Sequence, residues 1–415
     1  MRRGLPAVEA FRVPWYGAVW SSNLLQVFAG QVHFFTLQWL VTDLTESRTL
    51  LGLVIAIAGI TVAVTSPIGG VATDRFARRN LLILGRVGMI AVVSVLALLV
   101  YADLILLWHI MLSAVFMGLL AAISQPATQS YVFDVVGPER TQTAVALNSA
   151  GMGIGQMTGP ALAGILIAAG GIVGSWLCAL LALSVAVVLL LPIPILGRSE
   201  GEHRAPLREL REGFDFVIHN RPVLMAMLAC AMAFFNGALF AMRPVFARHV
   251  LEVGSQGMGG LAAAAGLGTL LGAVGATLLP RFRRPGISIV VSMLGFSTCI
   301  FLYSFAFSYA YNLCVEFASG LFAQLWQISA FSGLQMAVGL QMAVPADLRG
   351  RVLGILFMLA QLAQVGGVFV GGLADRVGDQ LAMGIFGAIP MVILLCLLLF
   401  ARRSLSALGN EPAAP

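Results

Sequence analysis

Glu316 is the residue whose type and setting imply chemistry most sharply. It interrupts a long apolar stretch, 309–338, read as a helix starting near Ser308. At 1.5 Å per residue the carboxylate lies about 12 Å along that helix. A carboxylate at such depth must face a cavity, take up a proton or find a buried bond, because exposure to hydrocarbon is costly and burial favours the neutral acid. Three roles stay open: coupling of a proton or other cation, contact with a solute, and a buried structural bond. Gln324, Trp326, Gln327 and Gln335 follow along the same stretch and suggest a cavity of mixed polarity. Gln31 and Gln38, seven apart, share one face of a helix. His33 is offset from them and reads as a packing or hydrogen-bonding residue ahead of a proton carrier. Asn23 and Asn236 are further polar positions within apolar stretches. Asp43 and Arg243 fall near the ends of two such stretches, where they could pair in one state and separate in another, or stand as solvated rim charges.

Other chemistries find no residues to perform them. Cys178, Cys230, Cys299, Cys314 and Cys396 lie far apart, without metal-ligand spacing or a disulfide framework, and read as small buried hydrophobes. Histidines at i and i+4 are absent, as is a nucleophile–base arrangement. No phosphate-binding loop points to ATP as a fuel. The reading is therefore of a non-enzyme with no cofactor and no metal.

The elements that position these residues follow from composition. Of 415 residues, 59% are hydrophobic and 10% charged. A soluble domain needs about 25% charged residues to face water. Lipid is the solvent that needs none. Apolar runs of about 20 residues must close their backbone hydrogen bonds internally, which makes them helices, and the short alternating segments of a membrane barrel are missing. Twelve spans are read at 17–42, 49–72, 81–101, 104–132, 142–168 and 172–193, then at 223–245, 256–279, 287–307, 309–338, 350–372 and 380–401. The arginine-bearing segment Met1 to Arg12 lacks a convincing cleavage site, so the first span is expected to remain.

All basic charge outside histidine is arginine, and its distribution sets an orientation. With the N-terminus inside, 20 arginines fall on the inner side, among them Arg75, Arg78, Arg79, Arg86 and Arg140. Four, Arg48, Arg243, Arg248 and Arg376, fall outside. This is the positive-inside bias, and it requires an even number of spans with both termini in the cytoplasm. The net charge of +6 is dispersed between apolar blocks rather than gathered in one field, which argues against nucleic acid.

Residues 194–222 are the main polar interruption. Leu207, Leu210, Phe214 and Val217 recur at helical spacing there, as expected of an amphipathic helix on the inner membrane face or of a solvated linker. It divides residues 1–193 from 223–415, six spans from six. The halves carry matching turns: Asp74-Arg75-Phe76-Ala77-Arg78-Arg79 with Pro280-Arg281-Phe282-Arg283-Arg284, and Gly137-Pro138-Glu139-Arg140 with Val344-Pro345 through Arg349-Gly350-Arg351. Duplicated bundles of this kind rock about a site near the midplane.

On these residues the chain resembles the major facilitator superfamily. Gly70-Val71-Ala72-Thr73-Asp74-Arg75-Phe76-Ala77-Arg78-Arg79 is similar to its signature between helices two and three, with Ala77 where glycine is usual. The resemblance implies that Asp74 caps or pairs across the cytoplasmic bundle interface and that Arg75, Arg78 and Arg79 help lock the outward-facing form. Gly371-Gly372-Leu373-Ala374-Asp375-Arg376 echoes the signature on the outer side. Gly155 to Gly164, with Gly159 and Pro160, resembles the fifth-helix motif of proton-coupled exporters, and its glycine spacing and proline suit close packing and a bend. Within the superfamily the chain looks most like small bacterial exporters of the enterobactin and macrolide efflux group. That likeness implies a first helix lining the central cavity, where Gln31 and Gln38 would be polar contacts. Ala114 stands where many drug–proton antiporters carry an arginine, so their mechanism does not carry over directly.

The expected fold is therefore an all-α integral membrane protein, two six-helix bundles with pseudo-two-fold symmetry. The expected function is proton-driven export of a small amphipathic compound by alternating access. A metabolite uniporter or symporter and a lipid translocase are the alternatives. Its partners would be solute, protons and lipid. A monomer in the inner membrane is the expected state.

Overall fold

The computed structural model describes residues 11–137, 140–194, 215–278, 285–339 and 349–400. Among the described residues, helices joined by short turns account for the chain, with no strand. They are Tyr16–Leu44 (α1), Arg48–Arg75 (α2), Arg78–Tyr101 (α3), Leu107–Val136 (α4), Thr141–Leu190 (α5), Arg221–Ala231 (α6), Gly237–Val245 (α7), Gly254–Leu278 (α8), Pro285–Tyr303 (α9), Tyr309–Gly339 (α10), Arg349–Val377 (α11) and Asp379–Phe400 (α12). Helix occupies every one of the twelve intervals read from the sequence. By length and composition, eight helical stretches among the described residues are apolar enough to cross a bilayer.

Three departures from regular helix shape the chain. Gly171 adopts φ 71° and ψ −175°, left-handed backbone that a residue with Cβ resists, so α5 runs as two arms, 141–170 and 172–190. Between α6 and α7 the helix tightens into a 3₁₀ segment, Met232–Asn236, and after α7 it widens into a π segment, Phe246–Val250. Pro244 lies just before the widening and withholds one backbone donor. At the entry to α6 the side chain of Asn220 accepts from Val223 N at 3.3 Å, an N-cap with proline in the first turn.

The helices fall into two compact units. The first comprises 1–46, 60–202 and 253–266; the second comprises 47–59, 203–252 and 267–415. The first unit has a core of Tyr16, Val19, Leu82, Tyr131, Val132 and Leu190. The second packs Val223, Met227, Ile289, Met293, Ile355 and Leu394. Outward-facing Leu98, Leu181, Val188, Phe369, Val392 and Leu399 are exposed on helices that would be insoluble in water, as lipid-facing positions should be.

Of the linker reading at 194–222, residues 195–214 lie outside the described residues, and 215–219 are helical. The matched turns at 280–284 and 344–348, and Pro138-Glu139, also lie outside them.

Candidate functional site: a buried ion pair in the second unit

Glu316 is fully buried on α10, seven residues from its start. It is not a lone carboxylate. Arg243 Nε donates to Oε1 at 2.8 Å and Nη2 donates to Oε2 at 3.0 Å, a parallel two-point fork. Ser319 Oγ donates to the Glu316 carbonyl at 2.7 Å. Arg243 lies seven residues before the end of the helical run that closes at Val250, so both partners stand about 10 Å from a helix end. Its guanidinium approaches the Phe240 ring at 5.9 Å, and its side chain is 11% exposed. Arg243 is thus not a solvated rim charge in this structure, and its pairing with Asp43 in another state stands as a proposal. In a buried setting the fork is spent on the carboxylate that meets both its donors. Asp43 is exposed at the end of α1.

Unused polar groups surround the pair. Asn312, one turn before Glu316 on the same face of α10, is fully buried with neither amide atom bonded. The buried Tyr303 hydroxyl on α9 also has no partner, and its ring packs on Phe246 of the π segment at 5.0 Å. Asn236 is buried in the 3₁₀ segment, two turns before Arg243, with Oδ1 unbonded. Its neighbour Gly237 approaches the Ala363 backbone so closely that a Cβ would collide. Gln324 is half-buried beside Gly272, whereas Gln327 is exposed. Only Glu316 and Arg243 among the nominated polar residues of this unit are bonded to each other.

In the first unit His33 is buried, its ring stacked on Trp176 at 6.1 Å and its Nδ1 unbonded. Gln38 is buried, and Gln31 is half-buried with its Cβ opposite Gly159. Gly155 and Gly159 admit α1 to α5, since a Cβ there would fall 2.9 Å from Val27 Cγ1 and 2.7 Å from Gln31 Cβ. Gly164, one turn beyond Pro160, faces Ser255 and Gly259 of α8. Thus the glycine face of α5 serves two neighbours within its unit.

The signature segment runs out along α2, through a turn at Phe76–Ala77, and into α3. The Asp74 side chain and the surroundings of Gly70 lie outside the described residues, and Arg75 is exposed. Arg78 forms an ion pair with Asp134 of α4. Arg79 donates to the carbonyls of Leu190 and Leu191, where the end of α5 favours a cation. The echo at Gly371–Arg376 belongs with the 45–48 turn. Asp375 Oδ1 accepts from Arg48 N at 3.0 Å, and Oδ2 accepts from Thr49 N at 3.1 Å and Thr49 Oγ1 at 2.6 Å. It caps α2 from a distant helix. Arg48 reaches on to Asp379 at 3.0 Å.

Over residues 19–367 the chain matches the Major Facilitator Superfamily. The chain belongs to that superfamily. Superfamily membership makes it a multi-pass membrane transporter of small solutes and not an enzyme. Among similar proteins are enterobactin exporters EntS. The Shigella boydii serotype 4 protein is 27% identical over 368 residues, covering 87% of this chain and 86% of that one. The Escherichia coli O139:H28 protein is 26% identical with the same coverage. A POT family transporter solved with a thioalcohol-conjugated peptide matches with a TM-score of 0.75 at 12% identity, over 94% of this chain and 96% of that one. A bacterial homologue of the human lysosomal transporter Spinster matches at 0.70 and 15%, over 97% and 99%. These two likenesses concern the fold.

Several residues of the site escaped sequence reading. Asn312 was one of them, although its helical spacing from Glu316 is the signal that could have found it. Asp134, Asp375 and Asp379 carry no local signal of their partners. Arg86 was counted among cytoplasmic arginines, but it is a fully buried residue inside α3.

Proposed function

We propose that this superfamily member is a proton-coupled exporter of small amphipathic solutes, working by alternating access with Glu316 as the proton-binding group. Twelve spans, arranged as two six-helix halves, 1–193 and 223–415, joined by 194–222, with both termini in the cytoplasm of an inner membrane, complete the reading. The observation that carries it is the buried Arg243–Glu316 fork.

The chemistry follows from burial. While Glu316 is ionised, its charge and that of Arg243 cancel, and the pair is stable within its unit. A proton taken up on Oε1 or Oε2 neutralises the carboxylate and leaves the guanidinium buried without an anion, a state of high energy. The protein relieves it by moving Arg243 or by releasing the proton. Coupling requires such a pair of unequal states. The irregular backbone around α7 gives Arg243 a helix able to shift, since 3₁₀ and π segments commonly mark hinges. Asn312 and Tyr303 offer unspent hydrogen bonds to a migrating proton or a solute. The exporter assignment draws on the enterobactin exporters that the chain resembles over most of its length.

The test is flux in proteoliposomes across a panel of amphipathic solutes, with and without an imposed proton gradient. Wild type should move solute against its gradient when protons flow the other way. Glu316→Gln should retain at most gradient-independent exchange. Flux in Glu316→Gln that still follows the proton gradient would remove this residue from the pathway. Flux that never depends on protons favours the uniporter reading, and movement of labelled lipid between leaflets favours a translocase.

A further inference from the structure

Arg86 is the most deeply buried arginine described, with a relative exposure of 0%. Three other helical arginines, Arg48, Arg78 and Arg243, each meet a carboxylate. Arg86 meets none among the described residues. Nη1 donates to the Leu82 carbonyl of its own helix at 3.2 Å, Nη2 donates to Asn23 Oδ1 at 2.8 Å, and Nε has no partner. A guanidinium cannot shed its charge as a lysine does. Held away from water with only neutral acceptors, it leaves a full charge and a donor unanswered, which is an expensive arrangement for a merely structural residue. An ionisable residue inside a membrane helix is a functional site by default, and one with no counter-ion among the described residues is open to a charge supplied from outside the chain.

The surroundings indicate what would arrive. Asn23 accepts from Arg86 and donates through Nδ2 to Asn148 Oδ1 at 3.4 Å. Asn148 is only half-buried, so the two amides form a polar path from the surface of the first unit to the buried cation. Beside it, Trp20 Nε1 donates to the Leu147 carbonyl at 2.8 Å, and its ring lies against the bare backbone of Gly151. Trp20 stands one turn before Asn23 on α1, so an aromatic ring, packed edge-on with Phe11 at 5.5 Å, lies at the amide end of that path. We propose that Arg86, Asn23 and Asn148 form a receptor for an anionic oxygen group, a carboxylate, phosphate or ionised phenol, carried by an amphipathic solute whose apolar part rests on Trp20. This rests on the transporter reading and narrows its substrate class to anions. It places solute recognition in the first unit and proton binding in the second.

The purified full chain in phosphatidylcholine nanodiscs is titrated with salicylate, 1-naphthoate and phenyl phosphate, and with the neutral methyl esters of the two carboxylates, while its thermal unfolding is followed. At least one anion should raise the wild-type midpoint saturably, and the neutral esters should not. Arg86→Gln should weaken half-saturation at least tenfold, and Arg86→Lys should retain part of the response. Asn23→Asp supplies an internal counter-ion 2.8 Å from Nη2. It should raise the ligand-free midpoint and abolish the response, an outcome that does not depend on folding of Arg86→Gln. The proposal is overturned if no anion stabilises wild type, if acid and ester act alike, if Arg86→Gln or Asn23→Asp responds as wild type does, or if stabilisation appears only when phosphatidylglycerol supplies the anion. Anion binding without flux under a proton gradient would refute the transport reading and leave this site standing. Proton-driven flux without anion binding would refute the site alone.

Discussion

Removing one partner from Arg243–Glu316 and removing both should have opposite consequences. Arg243→Leu alone leaves an ionised carboxylate buried against apolar groups, a loss of about 3–5 kcal/mol. The double variant Arg243→Leu, Glu316→Met removes both charges while keeping apolar volume, and should regain most of that loss. Thermal unfolding in detergent measures both, and a double variant no more stable than the single one would show that the fork is not the main interaction of either residue. Flux should be absent in both if the pair has the proposed switching role, because packing does not replace a charge that must move. Glu316 was legible in the sequence, because a carboxylate among apolar residues cannot be idle. Arg243 as its partner was not, since the contact joins helices 73 residues apart and helical periodicity encodes only neighbours on one helix. Asn23 was legible as polar in an apolar run, but its partner Arg86 was hidden by its short distance in sequence from the Arg78-Arg79 turn.

At the level of helices, Asp375 tests how the start of α2 is held. Its carboxylate answers the backbone donors of Arg48 and Thr49, two of the four that a helix N-terminus leaves open. Asp375→Ala should cost about 0.5–2 kcal/mol, the usual value of a lost cap. Amide exchange at Arg48 and Thr49 should accelerate while the interior of α2 is unchanged. Unchanged exchange at those two amides would mean another group caps the helix. The echo of the signature around Asp375 was visible as a pattern, yet capping depends on which helix end lies opposite, a fact of tertiary structure alone. The α5 glycines make the complementary case. A side chain at Gly164 would meet the Ser255 carbonyl and the Gly259 backbone, whereas one at Gly170 meets nothing within 4 Å. Gly164→Val should lower the unfolding midpoint by an amount equivalent to about 1–3 kcal/mol and impair flux, because backbone cannot yield as a side chain can. Gly170→Val should leave flux intact. Equal effects at both positions would indicate a loss of helix flexibility in place of a collision.

For the whole molecule, the legible part was what lipid dictates. Apolar length located the helices, including the break at Gly171 between the fifth and sixth intervals, because hydrocarbon penalises every unpaired backbone group. The division into units was less legible. Residues 47–59 group with the second unit and 253–266 with the first, so α2 and α8 are each shared along their length. Hydropathy cannot register this, because the packing partner of an apolar helix leaves no trace in its apolarity. Orientation rests on arginines alone and admits a direct measurement. With the five native cysteines replaced by alanine, single cysteines at Ala77, Asp103 and Phe307 are probed in intact cells with a membrane-impermeant maleimide. Ala77 lies in the turn between α2 and α3, Asp103 in that between α3 and α4, and Phe307 in that between α9 and α10. Asp103→Cys and Phe307→Cys should react from outside, and Ala77→Cys only after the membrane is opened. The Asp103 and Phe307 turns are each flanked by bare apolar helix ends, whereas the Ala77 turn adjoins Arg75, Arg78 and Arg79. Because translocating three guanidinium groups is the costlier insertion, labelling of Ala77→Cys in intact cells would reverse the topology and require the proposed proton pathway at Glu316 to open from the opposite side.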